Sequence, residues 1–333
     1  MKEREIRPWV PVAVAVGLFL IWSNSFVAVS YLLGRERALQ QLDWVGLTVA
    51  RFLPVGPVCA VYCFGWRRAE SIATWRRHWR RLLVCGFVTV PSYNFALYFA
   101  QQHGVPAPVA SLTTALVPLF VMLLAALFLG ERMTPRRLVG FGIAAAGMLL
   151  VSLAKNGDRA ATYPLFVGIA AIAPLSWSIY SVVSKPVMVR VPPIVWTYMA
   201  TLTGTLLVLP FLPGDVWRQC VALDGPGWFA VLYLSFPCTV LGFFVWTWLL
   251  KQLPASSVGF TVFMNPPLTA VSKHTLALLF PATFVFAIRP LEWLGGILAL
   301  VGMAVALWRA GAEQRQAVVS PPPLSVDPRI DEA

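Results

Sequence analysis

One arginine in this chain lies at a depth where arginine is costly. Arg51 sits about seven residues into an apolar run that begins near Trp44, roughly 10 Å along a helix that rises about 1.5 Å per residue. A charged side chain near the centre of a bilayer is disfavoured by about 2.5–3.5 kcal/mol or more unless it finds partners or water. Facing a cavity, its planar guanidinium would neutralise a bound carboxylate or phosphate through paired hydrogen bonds. The alternative is structural: it snorkels to the outer headgroups, or it pairs with carbonyls freed near Pro54 and Pro57.

Other polar and aromatic residues stand at similar depth. Trp22 and Trp177, with Ser23, Asn24 and Ser178 beside them, suit a pocket that is mostly apolar with a few polar fixing points. Tyr93, Asn94 and Tyr98 fall close to one helical face, and Gln101 and Gln102 follow at the outer end of that run. Thr113 and Thr261 occupy corresponding places in the two halves of the chain, and Trp246 and Asn265 add further groups at depth. A buried amide such as Asn94 or Asn265 must be hydrogen bonded, so it faces protein or cavity; bonding between helices serves each of these residues equally well. Lys273 and His274 offer a second basic point. Either they hold an anion or accept a proton, or the helix ends early and Lys273 reaches the outer interface. Glu131 is read as a structural partner of Arg132, Arg136 or Arg137.

The elements that must carry these residues follow from composition. The chain is 58% hydrophobic with a mean hydropathy of +0.73, and its 12% charged residues are about half the share of a soluble domain. Apolar runs predict ten membrane spans, at 9–33, 44–65, 82–101, 106–129 and 137–154, then 164–184, 193–212, 228–250, 256–280 and 291–308. Each should be a helix, because a lone helix satisfies its own backbone in lipid and a lone strand does not. With the N-terminus inside, 18 of the 26 Lys and Arg residues fall on the inside and 6 on the outside, so both termini are expected in the cytoplasm. The strongest signal is Arg67, Arg68, Arg76, Arg77, Arg80 and Arg81 within the inside segment 66–81, read as a loop. The net charge of +12 is thereby assigned to membrane orientation rather than to nucleic acid. Cys59, Cys63, Cys85, Cys220 and Cys238 imply no disulfide framework, and Cys59 with Cys63 reads as packing rather than a metal site.

The chain also repeats itself. Leu20-Ile21-Trp22-Ser23 recurs 155 residues later as Leu175-Ser176-Trp177-Ser178, and Gly140 and Gly147 recur as Gly295 and Gly302 at the same offset. Pro106 and Pro118 are spaced like Pro254 and Pro266. Five spans per half is an odd number, which forces the two copies into opposite orientations, the arrangement of transporters whose site lies between inverted repeats. The expected units are 1–8 cytoplasmic, 9–154 the first repeat, 155–163 an external linker, 164–308 the second repeat and 309–333 a disordered cytoplasmic tail.

At these residues the chain resembles the drug/metabolite transporter superfamily, specifically its ten-helix EamA-like members. The resemblance rests on Trp22-Ser23-Asn24-Ser25-Phe26, Ala50-Arg51-Phe52, Ala110-Ser111-Leu112 through Pro118-Leu119-Phe120, and Leu129-Gly130-Glu131-Arg132. In the second half, Leu253-Pro254-Ala255, Asn265-Pro266-Pro267 and Leu291-Glu292-Trp293-Leu294-Gly295-Gly296 match. It implies transport of small metabolites or drugs, with spans one to four and six to nine around the cavity and five and ten as peripheral packing. The chain departs from the family at Thr201, which aligns with Arg51, and at Ser272-Lys273-His274-Thr275, which replaces the usual Gly-Glu ending. No acidic residue lies within a span away from its edge, all fourteen being in loops, tails or span edges, which leaves coupling through a buried carboxylate unsupported and favours an anionic or zwitterionic, amino-acid-like solute. The expected function is therefore a bacterial inner-membrane secondary transporter and exporter with a small-molecule substrate, no cofactor and no nucleic-acid partner. The alternative is a membrane-embedded enzyme or lipid-handling protein on the same fold; Gly-x-Ser-x-Gly and His-Glu-x-x-His are both absent.

Overall fold

The computed structural model describes residues 9–36, 39–129, 135–153, 162–188, 190–252, 262–284, 286 and 290–307. Every regular element among them is a helix. Spans one, five and ten are single helices: α1 (Trp9–Leu32), α8 (Pro135–Leu153) and α16 (Pro290–Leu307). Most of the others are interrupted, and proline accounts for most of the breaks. Span two is α2 (Trp44–Phe52) and α3 (Val55–Ala60), divided at Pro54. Span three is α4 (Arg68–Phe87) and α5 (Tyr93–Gln102), joined by a π-helical turn over Val88–Ser92 that holds Pro91. Span four breaks between α6 (Ala107–Thr114) and α7 (Val117–Leu129), just before Pro118, whose nitrogen has no hydrogen to donate.

The second half is built alike. α9 (Tyr163–Ala170) and α10 (Ile172–Ser184) form span six, and α11 (Pro193–Val208) forms span seven. A short helix that the sequence reading leaves as loop, α12 (Asp215–Val221), buries Cys220. α13 (Gly225–Ser235) and α14 (Gly242–Gln252) flank a second π-helical turn, Phe236–Leu241, at Pro237. α15 (Asn265–Leu279) opens on Pro266 and Pro267, so spans four and nine are both discontinuous near corresponding prolines. The expected linker (apart from Thr162 and Tyr163), N-terminal segment and tail, and with them Glu131 and Thr261, lie outside the described residues.

One expectation is corrected. Segment 66–81, read as a loop, is helical from Arg68 onward, because Ala69, Glu70, Ile72, Ala73 and the arginines favour helix and no Gly or Pro interrupts them.

The glycine repeat shows why the two halves face opposite ways. A Cβ at Gly147 would meet the Ala299 amide and come within 2.6 Å of the Gly295 carbonyl oxygen; one at Gly302 would meet the Ala144 amide and come within 2.7 Å of the Gly140 oxygen. Gly140, Ala144 and Gly147 lie 155 residues before Gly295, Ala299 and Gly302, so the contact is self-complementary, as a two-fold axis requires. The early part of α8 meets the late part of α16 and the reverse, so a helix and its own repeat copy run antiparallel. In lipid no hydrophobic force draws helices together, and close backbone approach through small residues does that work instead. Gly147→Val and Gly302→Val should each destabilise by about 1–3 kcal/mol or more, and to a similar degree. Thermal unfolding of the detergent-solubilised variants checks this, and two unchanged melting curves would remove the contact.

Candidate functional site

A cavity of about 70 Å³ lies between the two halves. At roughly 10–15 Å³ per water centre it admits several waters or part of a small solute. Spans one, two, three and four of the first half and six, eight and nine of the second contribute lining residues. Span seven contributes none, which departs from the family-based expectation, and neither do five and ten.

The lower part of this space is aromatic. Trp22 stands 5.6 Å from Trp246 and 6.1 Å from Trp177, with Trp177 and Trp246 5.9 Å apart, ring centre to ring centre. Phe19, Tyr93 and Phe243 extend the cluster. Trp22 is fixed by donating its indole N–H to the Cys238 carbonyl at 2.8 Å, one of the oxygens in the second π-helical turn.

Arg51 is the cationic pole. It is only 8% exposed, and its Nε donates to Thr239 Oγ1 at 2.9 Å, while Nη1 donates to Tyr98 Oη at 2.6 Å and to Asn94 Oδ1 at 3.4 Å. The backbone breaks set these partners. Asn94 spends its amide hydrogens on the Thr89 and Val90 carbonyls released by the first π-turn, which leaves Oδ1 to face the guanidinium. Thr239 donates to the Leu234 carbonyl at the second π-turn, so its oxygen can only accept from Arg51. Ser235 Oγ donates to the Arg51 carbonyl at 2.7 Å, anchoring α2 against α13. All these partners are neutral, and no carboxylate pairs with Arg51 among the described residues. The cation is held in place but not neutralised.

Beyond Tyr98 on the same face lies Gln101, completing an i, i+4, i+7 stripe with Asn94 and Tyr98. Gln101 is fully buried, and neither its Oε1 nor its Nε2 has a protein partner; Trp246 Nε1 and Asn265 Oδ1 are likewise buried without partners. All three residues line the cavity. Polar atoms that line a cavity without a protein partner are open to a ligand or to water, and such a group that stays unmet disfavours the empty protein by about 1–3 kcal/mol. Gln101→Leu is accordingly expected to raise the melting temperature of the empty protein while weakening ligand binding. A lower melting temperature would show the amide to be structural.

The sequence candidates thus divide. Trp22, Arg51, Tyr93, Asn94, Tyr98, Trp177, Trp246 and Asn265 meet at the cavity. Ser23, Asn24, Thr113 and Ser178 are not among its lining residues: Thr113 bonds the Ala110 carbonyl, and Ser178 bonds the carbonyls of Pro174 and Val117. Asn24 meets Ser272 Oγ, and Ser23 accepts Thr269 through its backbone oxygen, so this pair joins α1 to α15. Thr261 lies outside the described residues. Thr114 and Thr239 were not singled out from the sequence, and Gln101 was named only as following the Asn94–Tyr98 face. Thr114 lines the cavity where its neighbour Thr113 does not, and Thr239 is brought in by a π-turn that no local pattern announces.

Lys273 does not reach the outer interface. Its Nζ lies 2.7 Å from Glu36 Oε1, and the two side chains are 9% and 0% exposed. Gly34, at φ +65°, turns the chain after α1 back on itself, and a Cβ there would come within 2.7 Å of Gln40 backbone atoms. The described parts of this strap, 34–36 and 39–43, bring Glu36 to Lys273 and Asp43 against Gln219, which it meets through two hydrogen bonds of 2.9 and 3.0 Å.

Comparison with known proteins places the chain among membrane transporters. A probable terminal-alkyne amino-acid exporter of Streptantibioticus cattleyicolor is 26% identical over 89% of this chain and 93% of its own length. A probable amino-acid metabolite efflux pump of Escherichia coli is 25% identical over 71% of this chain and 79% of its own. An aromatic amino acid exporter of Ancylobacter novellus is 28% identical over 62% and 71% respectively. A solved crystal structure superposes with a TM-score of 0.58 at 23% identity, covering 92% of this chain and 98% of that one, which supports the fold. The model of the EamA-like transporter family matches twice, over residues 11–153 and 165–308, one match to each of the halves that meet at the glycine contact. With ten spans, an inverted repeat and a cavity between its halves, the chain belongs to the EamA-like transporter family.

Proposed function

We propose that this multi-pass membrane transporter exports amino-acid-like solutes, zwitterionic or anionic with an apolar tail, by alternating access between its two halves. A plasma-membrane location with both termini cytoplasmic follows from the distribution of Lys and Arg. The observation that carries the reading is Arg51, a buried guanidinium whose partners among the described residues are all neutral, in a cavity that no described acid lines. Such a site lacks the counter-ion that an organic cation needs and supplies the one that a carboxylate needs. The hydroxyl of Tyr98 accepts from Arg51 and so keeps its own proton to donate to the same carboxylate. The tryptophan cluster offers flat apolar faces to a side chain, and the names of the relatives are in keeping with this chemistry. Export would require Glu36 and Asp43 to release their hold on Lys273 and Gln219 when the outer side opens.

Counterflow in reconstituted vesicles tests the reading. Phenylalanine is expected to exchange, whereas phenethylamine, which lacks only the carboxylate, is not. Equal exchange of the amine would overturn the role given to the cation.

A further inference from the structure

A second basic cluster lies well away from the cavity. α2 and α3 continue through a π-helical turn to Trp66, which is 75% exposed, and α4 begins two residues later. His78 leaves helical geometry at φ −131°, ψ 21°, which kinks α4 and divides it in two. Beyond the kink, Leu83, Val84 and Phe87 are exposed and apolar, so the spanning part starts near Trp79. Before it, Ser71 and Thr74 are buried against the protein, whereas Arg68, Trp75, Arg76 and Arg77 are exposed. Trp66 and Trp79 both mark the level where helices enter lipid, and the twelve residues between them return to that same level. An amphipathic segment between two such tryptophans suits a place along the membrane surface, with its arginines at headgroup depth.

These arginines have little acid to answer them. Arg67 pairs with Glu70 at 2.9 Å, and Arg80 stacks over the Trp79 ring at 5.3 Å. The His78 ring packs on Trp196 of α11 at 6.2 Å. That contact seats the kink of α4 against the start of α11, and Arg190 lies three residues before α11, so exposed Arg77 and Arg81 on either side of His78 and exposed Arg190 share one face of the protein. Partial burial and the guanidiniums of Arg81, Arg77 and Arg190 hold the His78 imidazolium below its ordinary pKa, in keeping with that placement.

We propose that Arg77, Arg81 and Arg190, with the surface segment 67–81, form a docking site for the phosphate headgroups of anionic phospholipids. Charge complementarity selects an anion, and the exposed Trp75 and Trp79 beside exposed Leu83 and Val84 select one attached to acyl chains over a soluble one. The site spans both halves, since Arg190 belongs to the second repeat, so a bound lipid would brace the junction between them at this face of the membrane. The cavity and its solute play no part in this site.

The wild-type protein provides the first test. In nanodiscs containing phosphatidylglycerol the His78 imidazole, followed by NMR of histidine-labelled protein, should titrate at higher pH than in pure phosphatidylcholine, because a phosphate among the arginines screens them. Equal titration in the two bilayers overturns the proposal. So does an equal upward shift on adding inorganic phosphate to the phosphatidylcholine sample, which would make the site a soluble-anion site. In native mass spectrometry, the triple variant Arg77→Gln, Arg81→Gln, Arg190→Gln should bind phosphatidylglycerol on the order of 100-fold more weakly, at about fivefold per arginine. Phosphatidylcholine adducts should be unchanged; equal loss of both lipids would count against a headgroup site.

Discussion

Transport by an Arg51→Ala variant is expected to collapse while the protein still inserts and folds. The guanidinium makes three hydrogen bonds in the empty protein, to Thr239, Tyr98 and Asn94, and all three partners are neutral groups that water can replace once the side chain is gone. Its loss therefore removes a buried cation rather than abandoning a buried anion, and the fold gives up little. A bound carboxylate is in the opposite position, being left among aromatic side chains without its counter-charge. Truncating one partner of a buried, hydrogen-bonded charge pair removes about 2–5 kcal/mol, or roughly 30- to 4,000-fold in binding. Arg51→Lys should restore only part of this, because an ammonium is a point donor and cannot hold Thr239 on one nitrogen and Tyr98 on another while facing a carboxylate. Vesicle uptake measured beside thermal unfolding separates the two effects. Normal uptake by Arg51→Ala would end the assignment, and loss of folding would make the residue structural.

Lys273→Met is expected to lower stability by about 3–5 kcal/mol, because it takes the ammonium away from a carboxylate that has no access to water. Glu36 is drawn into that position by the turn at Gly34, and its side chain is 0% exposed beside the Lys273 ammonium. Glu36→Gln should also be destabilising, since it leaves the Lys273 ammonium buried. The double variant Glu36→Gln, Lys273→Met should recover most of the loss, as a neutral pair needs no counter-charge. Melting temperatures of the three variants form a cycle. If the double variant is as unstable as the sum of the singles, the two residues are not coupled and the ion pair is not what holds the strap.

These two predictions differ in what could be foreseen. Arg51 was identifiable from the sequence because a charge within an apolar run has to be justified by something, and its alignment with Thr201 already marked the halves as chemically unequal. The Glu36–Lys273 pair was not identifiable: its members are 237 residues apart, Glu36 reads as a loop residue, and only the backward turn at Gly34 carries it inside. The helical nature of 68–78 was hidden by its charge, which reads as solvated loop until the exposed tryptophans and the buried Ser71 and Thr74 show a helix lying on a surface.

By itself the sequence determined the solvent, the number of spans and their inversion. Hydrocarbon permits only elements that satisfy their own backbones, and an odd count per repeat leaves one outcome for orientation. It also determined the glycine contact in outline, since a spacing repeated at an offset of 155 residues becomes reciprocal when one copy is inverted. Tertiary structure decided which way each polar side chain in a span points. In water an amphipathic stripe separates core from surface, but in lipid both the packed face and the outer face are apolar, so periodicity carries no such information. Ser23, Asn24, Thr113 and Ser178 therefore went to helix contacts, and Thr114, Gln101 and Thr239 to the cavity or its arginine, through breaks and π-turns whose rotation is fixed only when the helices meet.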